Sequence, residues 1–130
     1  MMTNKHWNPE TVAPPFGRYS HCVEIPANSR QLAIAGQVGV RADGRMEQGI
    51  EAQTLQVFRN LESILKQNNM SFEDVYKVGV YLTNSNDVTA YRQAKDQIMG
   101  HHAPASTLVV VSALAHPDWL VEVEAYAAAN

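Results

Sequence analysis

Cysteine is nearly absent: Cys22 stands alone among 130 residues, which excludes an intrachain disulfide and any zinc site built on cysteine pairs. Basic residues are also scarce. Ten Lys and Arg against 13 Asp and Glu leave a net charge of −3, and non-specific binding to phosphate backbones or anionic lipid needs concentrated positive charge. Neither nucleic acid nor a membrane is an expected partner. Long apolar runs are missing too, since the Leu-Val-Val-Val at 108–111 falls far short of the ~20 residues that a membrane helix needs. No basic stretch followed by an apolar core opens the chain, so the cytoplasm is the expected location. No phosphate loop or nucleophile elbow occurs. The five histidines make no chelating set: His6, His21 and His116 are scattered, and adjacent His101 and His102 point apart on a helix or a strand alike. No metal is expected.

What remains is an ordinary globular composition, 45% apolar and 18% charged, well clear of the regime in which chains stay disordered. Its length suits one domain with one core, taken as residues 1–130. Residues 1–16 carry Pro9, Pro14 and Pro15 without periodicity and read as an extended lead-in. Two apolar-rich runs, 19–25 and 31–40, are separated by the turn formers Pro26-Ala27-Asn28-Ser29, so a hairpin is the economical reading. Across 50–67, Leu55, Phe58, Leu61, Ile64 and Leu65 recur at helical spacing opposite Arg59, Glu62 and Lys66, which predicts an amphipathic helix. Ser71 and Asp74 suit a short capped turn, and residues 75–83 a strand. A second helix over 88–100, led in by the polar 84–87, has Val88, Tyr91, Ala94, Ile98 and Met99 on one face. Residues 107–114 and 120–128 close the chain as strands joined by a turn at 115–118.

Two helices on one face of a sheet make an α+β layer architecture. In the last strand, alternation puts Val121, Val123, Ala125 and Ala127 on one face and Leu120, Glu122, Glu124, Tyr126 and Ala128 on the other. The run 108–111 is apolar on both sides, a pattern expected where both faces of a sheet are covered. Two helices cover only one. Leaving several Val and Leu side chains wet, at ~25 cal/mol per Å², would cost several kcal/mol, comparable to much of a domain's net stability. A second copy of the chain is the expected cover.

Glu122 and Glu124 share a strand face beside Trp119, Leu120 and Tyr126. Two such carboxylates suit general acid–base work if that face is desolvated between subunits. The plainer reading, an exposed pair that keeps an edge soluble, is the one periodicity alone favours.

Several short segments follow one another in a specific order: Gly17-Arg18-Tyr19-Ser20, Ala35-Gly36-Gln37, Gln53-Thr54 with Asn60-Leu61, and Val80-Tyr81-Leu82-Thr83 leading to Asn86-Asp87. Ala105-Ser106-Thr107 and Val121-Glu122-Val123-Glu124-Ala125 complete the set. Over nearly its whole length the chain thereby resembles the RidA family, also called the YjgF or L-PSP endoribonuclease-like family. The resemblance implies a chorismate-mutase-like α+β domain, with a mixed sheet and two helices on one face, assembled as a homotrimer whose sheets pack around the three-fold axis. It implies small-metabolite sites in clefts between subunits. There, reactive enamines and imines such as 2-aminoacrylate are hydrolysed to 2-keto acids and ammonia without a cofactor. Position by position, Glu122 matches the catalytic glutamate and Tyr19, Asn86 and Thr107 match pocket residues. Ala105 and Ser106 join the substrate-binding set, with His21, Gly36 and Trp119 as further candidates.

One departure matters. Active deaminases of the family carry arginine in a Pro-Ala-Arg-Ser segment, where it grips the substrate carboxylate. Here residues 103–106 read Ala-Pro-Ala-Ser, and Ala105 takes the arginine's place. Ala35 likewise stands for a common serine, and the loop 115–119 is slightly longer. A lost charge-assisted bidentate contact costs on the order of 1.5–3 kcal/mol of binding, so the expectation is a RidA-like deaminase with an altered substrate preference. The alternative is a non-catalytic metabolite-binding or regulatory trimer. Ribonuclease activity, suggested only by one of the family's names, is at odds with the acidic balance. Replacement cations are few. Arg18 points away from the Tyr19 face if the segment is extended, His21 shares that face, and His102 precedes Pro104 in a loop.

Overall fold

Helical and strand periodicities alternate along the chain, and the computed structural model, which describes residues 3–130, follows them. The order is β1 (Lys5–Trp7), β2 (Cys22–Glu24), β3 (Arg30–Val38), α1 (Ile50–Gln67), β4 (Val75–Leu82), α2 (Val88–Met99), β5 (Ala105–Val110) and β6 (Val121–Ala129). Four strands form a mixed sheet in the order β3-β6-β4-β5. β6 runs antiparallel to both its neighbours, while β4 and β5 are parallel. Helix α1 buries Val57, Phe58, Leu61 and Leu65, the stripe that an amphipathic helix turns inward. Tyr91, Ala94 and Met99 of α2 are buried beside them. Val78, Val80 and Leu82 from β4, with Val121, Val123, Ala125 and Ala127 from β6, complete one core. These four β6 residues make up one of the two faces that alternation separates in that strand. The α+β architecture with two helices on one face is therefore the one read from the sequence.

Ser71 and Asp74 close a capping box around a 3-10 turn at Phe72–Asp74. The Ser71 N–H donates to Asp74 Oδ2 at 2.9 Å, so this turn also forms as expected. Two expectations need correction. Residues 19–25 and 31–40 do not pair with each other. The turn itself forms, with Asn28 at a φ of 63° and Ser29 Oγ donating to the Pro26 carbonyl at 2.7 Å, but it redirects the chain. β3 pairs with β6, from Arg30 opposite Ala129 to Val38 opposite Glu122. That long ladder sets Ile34 over Ala125 in the core, a burial that a short local hairpin lacks. β2 instead pairs with β1, placing Lys5 opposite Glu24 and Trp7 opposite Cys22. Within the extended lead-in expected over residues 1–16, Lys5–Trp7 thus pairs as a short strand, while Met1 and Met2 lie outside the described residues. Finally, β5 ends at Val110 and does not pair with β6, because β4 stands between them. The expected turn at 115–118 belongs to a longer loop.

Two side-chain amides of α1, Gln53 buried and Asn60 half-buried, fasten the neighbouring segments. Gln53, 1% exposed, donates from Nε2 to the carbonyls of Glu47 (3.2 Å) and Asp118 (3.0 Å) and accepts from the Leu120 N–H (2.9 Å). It locks the loop that delivers β6. Asn60 donates to the Val38 and Val40 carbonyls at 3.2 and 3.1 Å, holding the end of β3 against α1.

Candidate functional site

The sheet face away from the helices is polar at its centre. Glu122 and Glu124 point to it from β6. Across the ladders, Glu122 lies between Val38 and Tyr81, and Glu124 lies opposite Gly79. A Cβ built on Gly36 would overlap the Glu122 carboxylate, and one on Gly79 would stand 2.7 Å from Glu124 Oε1. Both glycines therefore leave room for a carboxylate to lie flat on the sheet. The β3 register shift between Ile34 and Gln37 brings Gly36 to this position. Gly36, Glu122 and Glu124, together with Tyr81 and the loop 111–115, bound an open hollow of about 390 Å³.

The two carboxylates differ. Glu124 accepts from the Tyr81 hydroxyl at 2.6 Å on Oε1 and from the Tyr126 hydroxyl at 3.3 Å on Oε2. Both phenols are held above their ordinary pKa of 10.0. For Tyr81 the hydrogen bond to Glu124 is the main cause, and for Tyr126 the Coulomb repulsion between Glu124 and a phenolate. Glu124 is a fixed, doubly solvated negative charge. Glu122, half-buried beside it, accepts no hydrogen bond from a described residue. Its oxygens face the hollow, free to take a proton from a molecule bound there and return it.

The other expected site residues are divided. Thr107 lies exposed on the same sheet face, opposite Gly79 on β5. Tyr19 and Ser106 instead line a separate niche of about 230 Å³ between β5 and α2. Tyr19 Oη accepts from the Phe16 N–H at 3.2 Å. Arg18 lines that niche as well, contrary to the expectation that it points away from Tyr19. The segment is bent rather than extended, with the Tyr19 N–H reaching the Gly17 carbonyl at 3.0 Å, so strand alternation does not apply. Ala105 bridges to Ser20 and pairs with Lys77. Asn86 is exposed in the turn before α2, its N–H donating to Asn84 Oδ1. His21 meets the Tyr19 ring edge-on at 6.3 Å, and Trp119 stacks on His116 at 5.5 Å. His102 Nε2 donates to the Val75 carbonyl at 2.8 Å and lines neither hollow. One chain therefore does not gather Tyr19, Asn86, Thr107 and Glu122 into one pocket.

Sequence reasoning missed Tyr81 as a partner of Glu124 and missed Arg92 and Lys95 beside Tyr19. A signal for Lys95 was present, since it falls four residues after buried Tyr91, on the same helix face. Among the described residues, no three His, Cys, Asp or Glu side chains are grouped to hold a metal ion, and no helix is long and apolar enough to cross a membrane.

This fold, with its acidic sheet face, defines a class with known members. The family model for Endoribonuclease L-PSP matches residues 10–129, and the chain belongs to that family, the RidA/YjgF group. A RutC family protein of Pyrococcus horikoshii is 36% identical over 120 residues, covering 91% of this chain and 92% of its own. The crystal structure of YyfB of Yersinia pestis, from the conserved Rid protein family, superposes with a TM-score of 0.85 at 37% identity, covering 97% of this chain and 98% of that one. A 2-iminobutanoate/2-iminopropanoate deaminase of Dermatophagoides farinae is 27% identical over 106 residues, covering 79% and 80%.

Proposed function

We propose that this protein is a RidA-like hydrolytic deaminase of reactive enamines and imines, with Glu122 as its proton-transfer group. The observation that carries the reading is the Glu122 carboxylate, seated over Gly36 without a hydrogen-bond donor and facing the hollow on the open sheet face. Membership in a family with a named 2-iminobutanoate/2-iminopropanoate deaminase supports it. Glu122 takes a proton from water as the water oxygen bonds to the imine carbon. It returns that proton to nitrogen to give the carbinolamine, then carries the carbinolamine hydroxyl proton to nitrogen as the C–N bond breaks, so imine and water become carbonyl and ammonia. An enamine first gains a proton on carbon to become the imine. Glu124, fixed by two phenols, favours the cationic iminium form by its charge.

The working unit is a homotrimer in this reading. The open face carries Val109, 41% exposed, in line with Tyr81 and Glu122, and neighbouring copies packed there would cover it. They would also bring Tyr19 and Thr107 of one subunit toward Glu122 of another. Ala105 supplies no cation, which supports a substrate preference different from that of small 2-imino acids. The same alanine favours the second reading, a metabolite-binding trimer without turnover. Ammonia release separates the two: with imines generated in situ by an amino acid oxidase, the wild type should outpace Glu122→Gln by at least tenfold. Equal rates overturn the deaminase reading, and ligand-induced stabilisation without ammonia release supports the binding one.

A further inference from the structure

The niche between β5, α2 and the bend at 16–19 is distinct from the hollow that holds Glu122. Three cations converge on it. Arg18, Arg92 and Lys95 all line its wall, and Asp96 is the single carboxylate that answers them, 3.6 Å from Arg18 Nε and 3.4 Å from Lys95 Nζ. Lys95 also donates to the Arg18 carbonyl at 3.3 Å. Arg92 has neither an ion pair nor a hydrogen bond among the described residues. Its guanidinium lies across Gly17, where a Cβ would stand 3.3 Å from Nε, so the missing side chain leaves the fork room beside the cavity.

The niche floor is built from buried polar atoms. Lys95 is 9% exposed and Tyr91 2%, and the Tyr91 hydroxyl has no hydrogen-bond partner. A buried hydroxyl left unpaired costs about 1–3 kcal/mol, so an orphan at a cavity wall marks the place of a missing acceptor. Burial pushes the Tyr91 phenol far above its usual range, which keeps it a neutral donor. Burial also pulls the Lys95 ammonium below its usual value of 10.5, a cost that an anion beside it would relieve. Phe16, Tyr19 and Leu108 give the rest of the wall an apolar surface.

We propose that this niche binds the carboxylate of a small organic acid, with Arg92 as the bidentate clamp and the Tyr91 hydroxyl as a further donor. Arg18 and Lys95 share Asp96, so Arg92 is the cation free to meet a ligand, and a planar guanidinium matches a planar carboxylate. The apolar wall suits a carbon skeleton of a few atoms, and the volume of about 230 Å³ admits little more. The assignment stands without the deaminase reading, because it concerns binding and not turnover.

The test is calorimetric titration of the full-length protein with pyruvate, and separately with inorganic phosphate. Saturable pyruvate binding is expected, weakened at least tenfold in Arg92→Gln and several-fold in Tyr91→Phe, with Arg92→Lys recovering only part of the loss. Circular dichroism and melting temperature of each variant check that it folds; should Tyr91→Phe unfold, Gly17→Val, which crowds the guanidinium, replaces it. Absence of pyruvate binding, or binding unchanged in a folded Arg92→Gln, overturns the proposal. Phosphate binding as tightly through Arg92 overturns the carboxylate assignment. A protein that binds pyruvate through Arg92 yet releases no ammonia refutes the deaminase reading and leaves this one intact.

Discussion

Replacing Gln53 by leucine tests how the loop beneath the hollow is held. The side chain is 1% exposed and satisfies three backbone groups at 2.9–3.2 Å, two carbonyls through Nε2 and the Leu120 N–H through Oε1. Leucine keeps the volume and removes all three bonds. Each net bond is worth about 1 kcal/mol, and a group left dry costs more. Asp118 is exposed, so its carbonyl can turn to water, whereas Glu47 and Leu120 are half-buried. The expected loss is about 2–3 kcal/mol. Unfolding entropy of about 2.1 cal/mol/K per residue gives roughly 0.27 kcal/mol/K for this chain, so Tm falls by roughly 7–11 °C. Gln53→Glu is the sharper variant, because it aims a carboxylate oxygen at two carbonyls and should cost more than leucine. Thermal and urea melts followed by circular dichroism measure both, with an unchanged urea m-value confirming the same unfolded state. The reasoning fails if Gln53→Leu stays within about 0.5 kcal/mol of wild type, or if glutamate proves milder than leucine.

Gly36→Ala should leave stability nearly unchanged, since the clash falls on the movable end of Glu122 and alanine is no worse than glycine in a strand. Ammonia release should fall about 100-fold through the displaced carboxylate; paired melts and rates check this, and an unaltered rate would falsify the role given to Glu122. Glu124→Gln removes the charge that raises the Tyr81 and Tyr126 pKa values, so phenolate absorbance should titrate nearer 10 than in wild type. In wild type both phenols are neutral below pH 10 in either state. Above it the unfolded chain ionises first, so their contribution to stability declines as pH rises through the raised folded values. The steepness of that alkaline decline, followed by urea melts, should lessen in Glu124→Gln. Ala105→Arg should raise kcat/KM for 2-aminoacrylate at least tenfold, as a bidentate carboxylate contact permits. No gain in the folded variant refutes the idea that this position sets substrate preference.

The periodic elements were legible in the sequence because their determinants are local. The α1 stripe from Leu55 to Leu65, the Ser71–Asp74 box and the two-residue alternation from Val121 to Ala127 each follow from the geometry of a single segment. The order of the short motifs pointed to the family, and with it to Glu122 as a candidate. What failed was pairing. Nothing within residues 19–40 records that β3 is better buried against β6 than against its neighbour in sequence, since the deciding contacts, Ile34 over Ala125 among them, come from the far end of the chain. Arg18 was misplaced for a related reason: the bend at 17–19 depends on the Ser20 N–H reaching the Pro104 carbonyl at 3.0 Å, a contact 84 positions away by the numbering.

By itself, then, the sequence determined the helices, most strand segments and the two faces of β6, with the carboxylate pair together on one of them, because periodicity and alternation are properties of one stretch of chain. Tertiary structure alone decided that Glu124 is held by Tyr81 and Tyr126 while Glu122 is left without a donor. It also decided that Arg92, Lys95 and the unpartnered Tyr91 hydroxyl meet beside Tyr19. Those are distances between residues remote in sequence, set by sheet register and by how α2 packs, and no local pattern encodes them.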